Sequence, residues 1–164
     1  MTDRQQLPIL ITERIKFIKK SVSKKQIFDL LTKLLADGQS EVTSNTIFDT
    51  LVAREKLGNT SIGNEIAIPR SHVDIINPRA ALLILKNPLK TTETVDKKGI
   101  RFFLAILIPE MNKDTFSDVI IKLNQTLAKE NKLDTLASSK NPELLVDYIN
   151  SLFNVNLNKS ENKQ

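Results

Sequence analysis

Arg70 is the residue whose surroundings say most about chemistry. It follows the short apolar strand Ile66-Ala67-Ile68-Pro69, and a turn that contains Gly63 precedes that strand. This is the layout of a phosphoryl-acceptor loop, in which a nucleophilic histidine is expected directly after the proline. An arginine guanidinium stays protonated in proteins and cannot attack phosphorus. The sequence therefore predicts the frame of a phosphotransfer site without its reacting atom.

His72 is the only histidine of the chain, and it lies two residues beyond Arg70. Along an extended segment, residues two apart point to the same side and lie about 7 Å from each other. One interpretation makes His72 a displaced phosphoryl acceptor; the one we favour makes it an exposed loop histidine at the end of a strand. Ser71 lacks a histidine partner in any recognisable triad and is interpreted as a turn residue.

The residue types give little support for metal binding or nucleotide binding. The chain has no cysteine and one histidine, and its acidic residues show no metal-ligand spacing, so we expect no metal site. Gly58 and Gly63 are not followed by the Lys-Ser/Thr pair of a nucleotide-binding loop. We therefore expect no cofactor.

Four segments have apolar residues at helical spacing and so predict amphipathic helices. A capping box of Ser23 and Gln26 begins the first helix, and Gly38 is placed to end it. The predicted helices cover residues 27–35, 44–57, 116–127 and a segment that starts at Pro142, with a short extra turn over 133–137.

The remaining apolar runs predict strands. Ile15 and Phe17 alternate with lysines, which indicates a strand near a sheet edge. Residues 65–68 form a short strand, while residues 80–85 and 102–108 are runs of the kind buried on both faces, joined through a loop that begins at Asn87-Pro88. Helices around such strands predict a single α/β domain over residues 1–154, with a mixed sheet of about five strands sandwiched by helices on both faces. The polar residues 155–164 are predicted to be a disordered tail.

Charge and hydropathy indicate whether the protein binds nucleic acid or enters a membrane. The formal net charge is +5, but the lysines are spread along the chain, with no arginine-rich block and no tryptophan for stacking. A solvated lysine-rich surface is therefore favoured over nucleic-acid binding. No run of about eighteen apolar residues occurs and no signal peptide is visible, so we expect a cytoplasmic protein without membrane insertion.

A family resemblance rests on Glu55, the Ile62-Gly63 pair and the run Ile66 to Pro69. This pattern resembles the signature of enzyme IIA domains of the fructose/mannitol type in the bacterial phosphoenolpyruvate-dependent sugar phosphotransferase system. The nitrogen-regulatory branch is nearest in length and arrangement. The segments SKKQIFDLLTKL, LVAREKLGNTSIGN and LAILIP fall in family order, so that the resemblance spans about residues 7–153. It implies an α/β/α sandwich with the phospho-site in a shallow surface pocket, and Arg54 matches the family's arginine before the glycine turn.

Two positions depart from the family pattern. Arg70 and Ser71 stand where the family has histidine and a small residue. The second family histidine lies at the start of the third predicted helix, where the candidates are Phe116 and Asp118. The resemblance then implies an enzyme IIA-like regulatory protein that is not phosphorylated at the usual site and acts by binding a regulatory target protein.

Three alternatives stay open at this point. The predicted pocket residues are Arg54, Gly63, Pro69, Arg70 and Ser71. In the first alternative the two arginines form a cationic patch that binds an anion or an acidic partner, or else Arg70 is a neutral surface replacement. A second possibility is an active phosphocarrier that uses His72 and accepts phosphate from an HPr-type carrier. A third is a basic protein associated with nucleic acid.

Overall fold

The sheet is built around the two long apolar runs. The computed structural model describes residues 8–90 and 98–161, and within them six strands form one mixed sheet. The strands are β1 (Ile15–Ile18), β2 (Ser61–Gly63), β3 (Ile66–Ala67), β4 (Arg70–Val73), β5 (Arg79–Leu89) and β6 (Ile100–Pro109).

The strand order is β1-β5-β6-β3-β2, and β4 also pairs with β6. Because β5 occupies one side of β6, β3 and β4 lie one after the other along its other side, with Ile66 opposite Phe102 and Arg70 opposite Ile106. The pairs β1–β5, β3–β6 and β4–β6 are parallel, whereas β5–β6 and β2–β3 are antiparallel. The mixed sheet is confirmed, and the expected number of about five strands is corrected to six.

Five helices cover the two faces of the sheet among the described residues. Side chains alternate along β6, so that Phe102 and Leu104 lie in one core cluster and Phe103 and Leu107 in the other. The first cluster is closed by the three C-terminal helices and the second by the two N-terminal helices, so that helices cover both faces of the sheet as expected. The helices are α1 (Lys24–Ala36), α2 (Ser44–Leu57), α3 (Lys113–Lys129), α4 (Lys132–Ser138) and α5 (Pro142–Glu161).

The capping box that begins α1 is confirmed. The backbone N–H of Ser23 donates to Gln26 Oε1 at 2.8 Å, and the backbone N–H of Gln26 donates to Ser23 Oγ at 3.2 Å. Gly38 has a φ of +75° just past the end of the helix, a conformation that glycine adopts at little steric cost. These local contacts fix where α1 begins and ends.

The connection between β5 and β6 starts later than the sequence predicts. Asn87 and Pro88 belong to β5, which continues to Leu89 opposite Ile100. The register shifts between Ile84 and Leu89, and such an irregularity accommodates a proline that cannot donate to the ladder. The rest of the predicted loop, residues 91–97, lies outside the described residues.

The C-terminal helix passes the predicted domain boundary at residue 154. Residues 155–161 continue α5, so the expectation of a disordered tail is corrected for this stretch. Leu157 packs against the first core cluster, and the buried Asn156 donates through Nδ2 to the carbonyl of Leu152 at 2.9 Å. These contacts stabilise the helix beyond residue 154 although residues 155–161 are mostly polar. Residues 162–164 lie outside the described part of the chain.

Candidate functional site

The loop that leads to Arg70 is fixed at the end of α2. The Thr60 hydroxyl donates to Glu55 Oε2 at 2.9 Å, and the backbone N–H of Ile68 donates to the carbonyl of Thr60 at 2.9 Å. Lys24 lies 3.3 Å from the other carboxylate oxygen of Glu55. The end of α2 and the strand before Arg70 are thereby held in one arrangement.

A tight β2–β3 hairpin precedes the same strand. Gly63, Asn64 and Glu65 all have positive φ, at +93°, +53° and +63°, and only glycine adopts this region without steric cost. Asn64 Nδ2 donates to the carbonyl of Leu127 at 3.2 Å, which ties the hairpin to α3, and the carbonyl of Glu65 accepts from the N–H of Phe102 at 3.0 Å. The turn is held by these contacts although two of its residues are not glycine.

Arg70 begins β4 and is half-buried. Its Nη1 donates to the carbonyl of Ile68 at 3.4 Å, a long hydrogen bond. Burial lowers the pKa of the Arg70 guanidinium, the positive charge of Arg54 lowers it further, and the carboxylate of Glu55 acts in the opposite direction. Arg70 is thus a partly desolvated cation whose charge interacts with that of Arg54. Glu55, which the sequence marks only as part of the family pattern, is therefore also a charged neighbour of Arg70.

Arg54 lies in the last turn of α2. Its Nη1 donates to the carbonyl of Gly58 at 2.9 Å, just past the end of the helix. A cation at the C-terminal end of a helix is favoured by the exposed carbonyls and the helix dipole. The backbone therefore holds one donor of Arg54 at the same end of α2 as the carboxylate of Glu55.

The other three predicted pocket residues, Gly63, Pro69 and Ser71, occupy different structural positions. Gly63 closes the β2–β3 hairpin, and Pro69 is buried between β3 and β4, where its carbonyl accepts from the N–H of Ile106 at 2.9 Å. Ser71 is buried within β4 and not in a turn, and its Oγ has no hydrogen-bond partner. Since alternate residues of a strand point to opposite faces, Ser71 faces away from Arg70.

His72 lies in β4, opposite Ile108, and is exposed. The expectation of a loop histidine is corrected, because the strand resumes after Pro69 and continues to Val73. His72 and Arg70 are two residues apart in this strand and therefore project from the same face.

The two candidates for the second imidazole position, Phe116 and Asp118, both lie in α3 but differ in burial. Phe116 is buried in the first core cluster, where its ring stacks on Phe153 with centroids 5.9 Å apart. Asp118 is exposed on the helix surface. Phe116 is therefore a packing residue, and Asp118 is the one of the pair that solvent reaches.

Residues 8–90 and 98–161 contain neither a cluster of metal ligands nor a helix that could cross a membrane. No group of three or more histidine, cysteine or acidic side chains there is placed to hold a metal ion. No helix in these ranges has the length and hydropathy needed to span a bilayer.

Comparison with known proteins places this geometry in a family. The model of the family described as "Phosphoenolpyruvate-dependent sugar phosphotransferase system, EIIA 2" matches residues 9–152. The nitrogen regulatory protein of Pseudomonas aeruginosa is 30% identical over 128 residues, which cover 77% of this chain and 82% of that protein. The crystal structure of nitrogen regulatory protein IIA-Ntr from Neisseria meningitidis superposes with a TM-score of 0.76 at 25% identity and covers 86% of this chain and 96% of that chain.

A third comparison confirms the fold at lower identity. The complex of enzyme IIA mannitol with phosphorylated enzyme IIB mannitol from Escherichia coli contains a chain that superposes with a TM-score of 0.52 at 18% identity, over 68% of this chain and 81% of that chain. The sequence match and the fold agree, and the chain belongs to the EIIA 2 family of the phosphotransferase system, in its nitrogen-regulatory branch.

Proposed function

We propose that this protein is a regulatory enzyme IIA that receives no phosphoryl group at residue 70 and acts by binding a target protein. The residue that follows Pro69 is an arginine, whose guanidinium has no free lone pair with which to attack phosphorus. Phe116, at one candidate position for a second imidazole, is packed in the core. Both features support a protein that does not relay phosphate through these positions.

The pair of guanidinium groups carries the proposal. Arg70 is half-buried, its hydrogen bond to Ile68 is long, and Arg54 lies close enough for its charge to lower the Arg70 pKa. Two cations in one partly desolvated place are stabilised when an anion joins them. A planar guanidinium can bind a carboxylate or a phosphate through two parallel hydrogen bonds. We therefore assign an acidic side chain of the target protein to the Arg54/Arg70 surface.

The relatives support a role in protein binding. Two relatives that match 77% and 74% of this chain are named nitrogen regulatory protein and nitrogen regulatory protein homolog, and a protein of the same fold has been solved bound to phosphorylated enzyme IIB. In this chain a fixed positive charge at residue 70 takes the place of a group whose charge would change on phosphorylation. We infer a protein that presents one constant state to its target.

Anion binding at the two arginines tests the proposal. Phosphate and acetate are titrated separately into the protein while NMR follows the side-chain N–H signals of its arginines. The expected result is a saturable shift of the Arg54 and Arg70 signals, and the shift of the Arg70 signals is expected to weaken in Arg54→Met. Arg101→Met is the matched control, because Arg101 already donates to Asp134 at 2.7 Å. If neither anion reaches the pair at high concentration, the proposed binding surface is refuted.

One observation favours a second candidate function. His72 is exposed on the same face of β4 as Arg70, so that a phosphoryl group on its ring would lie near the guanidinium groups. In this alternative the protein accepts phosphate from an HPr-type carrier at His72. Peptide mass spectrometry would then locate phosphohistidine at residue 72, and His72→Ala would abolish it.

A further inference from the structure

A groove of about 610 Å³ lies between β1 and α1. The strand β1 is the outermost strand at the end of the sheet remote from β4, since the order runs β1-β5-β6 before the strands of the arginine surface. The groove is therefore separate from the Arg54/Arg70 surface. Its lining combines the outer strand with one side of the helix: Lys16, Phe17, Ile18, Lys19, Lys20, Val22, Gln26, Asp29, Leu30 and Lys33.

The first feature of the groove is an open strand edge. Among the described strands β1 pairs only with β5, through Ile15 to Ile18. Alternate residues of β1 therefore direct their N–H and C=O groups away from the sheet, and such an edge can pair with a further strand. Four residues are enough for a short added strand.

The second feature is an apolar floor. Val22 and Leu30 are half-buried and pack against the same core cluster as the buried Ile18, whereas Phe17, which is 40% exposed, alternates with Ile18 and lies toward the opposite face of β1. Burying such side chains contributes free energy in proportion to the apolar area removed from water. A peptide that pairs with β1 would place every second side chain against this floor, which gives both backbone and side-chain contacts.

The third feature is charge, and it selects the occupant. Four lysines line the groove against a single aspartate, Asp29. Two copies of the chain joined through this groove would bring the four lysines of one copy near those of the other, and like charges brought together across paired strands are destabilising. An acidic strand would instead meet Lys16 within β1 and the three other lysines around the groove, which favours its approach.

We infer that the β1/α1 groove binds an acidic, extended peptide segment of a partner protein, which adds to the sheet as a strand beside β1. Main-chain hydrogen bonds to the edge supply affinity, and the apolar floor and the lysines select glutamate or aspartate alternating with apolar residues. The inference does not rest on the proposed function of the arginine surface. It gives the protein a second place for a partner, on the other end of the sheet.

The test uses the full chain and a fluorescein-labelled peptide of alternating glutamate and valine. Fluorescence anisotropy measures binding at low and at high salt, and hydrogen exchange followed by NMR reports the backbone amides of residues 15–20. We expect saturable binding that weakens with salt, no binding of a lysine–valine peptide, and slower exchange of outward-facing β1 amides when the acidic peptide is bound.

Charge reversal supplies the variants. Lys16→Glu/Lys33→Glu is expected to weaken peptide binding about tenfold at low salt. Lys122→Glu/Lys129→Glu changes the net charge equally but lies on α3, on the other face of the sheet, and is expected to bind within about twofold of the unaltered chain. The salt dependence and the exchange data on the unaltered chain keep the test valid if a variant folds poorly.

Four results would overturn the inference. The first three are failure of the acidic peptide to bind at low salt, peptide binding that Lys16→Glu/Lys33→Glu leaves unchanged, and peptide binding without protection of the β1 amides. The fourth is protection of those amides by another occupant, either a single-stranded DNA probe or a second copy of the chain, while the acidic peptide gives none.

Discussion

At the scale of single residues, the candidate site depends on which charged side chains of α2 and β4 meet in space. Arg54 and Arg70 are close enough for their charges to interact, and the family pattern brings both to attention. The opposite orientation of Ser71 follows only from the strand that contains it, since a buried and an exposed serine look alike in a sequence. The carboxylate of Glu55 enters through the fold, because the α2 end and β4 meet in space.

Replacing Arg70 by methionine is expected to leave stability unchanged or to raise it. The guanidinium loses solvation, lies near a like charge and makes one long hydrogen bond, so its removal costs little, and a methionine side chain can take up its volume. The free energy of unfolding, from urea denaturation, is expected to stay the same or rise by up to about 1 kcal/mol.

Arg101→Met is the control for this experiment. Arg101 forms a 2.7 Å ion pair with Asp134 and lies over the Phe102 ring at 5.1 Å, so its replacement is expected to lower the free energy of unfolding by about 1 kcal/mol. A loss of comparable size in Arg70→Met would mean that Arg70 is retained for stability, not for binding.

At the scale of elements, long periodic segments were predictable and short polar ones were not. The four long helices and the central strands carry apolar patterns that match their burial. By contrast β2 reads Ser-Ile-Gly and β4 reads Arg-Ser-His-Val. These strands form because β3 and β6 offer pairing partners, and tertiary pairing of this kind leaves no local signal. The position of His72 in a strand was missed for the same reason.

The start of α3 gives a prediction about two neighbouring positions. Phe116→Ala is expected to lower the free energy of unfolding by about 3 kcal/mol or more, because it removes a buried ring stacked on Phe153. Asp118→Ala, at an exposed position, is expected to change it by less than about 0.5 kcal/mol. Thermal or urea unfolding distinguishes the two. Equal effects would contradict the assignment of Phe116 to the core.

At the scale of the whole molecule, the α/β/α sandwich was predictable from the alternation of helices and strands, and the extent of the last helix was not. Residues 155–161 are polar in composition, yet Leu157 returns to the core one turn after Phe153. The average composition of a segment does not reveal one apolar residue at helical spacing. Composition therefore predicts a domain boundary at residue 154, which is too early.

Leu157 therefore tests whether the end of α5 is docked. Leu157→Ala is expected to lower the free energy of unfolding by about 1 kcal/mol, since part of a leucine side chain leaves the core. Val155→Ala is the comparison, because Val155 is 51% exposed and its truncation should change stability by less than about 0.5 kcal/mol. Both are measured by urea denaturation. A silent Leu157→Ala would return this stretch to the tail.

The central claim is that this enzyme IIA receives no phosphoryl group. Its most direct measurement is the intact mass of the protein after incubation with phosphoenolpyruvate and the upstream phosphocarriers of the system, under conditions that preserve phosphohistidine. An enzyme IIA that has histidine after the proline serves as the positive control. The account predicts an unchanged mass for this chain while the control gains one phosphoryl group. A phosphoryl group gained by this chain would contradict it, and its loss in His72→Ala would identify His72 as the acceptor.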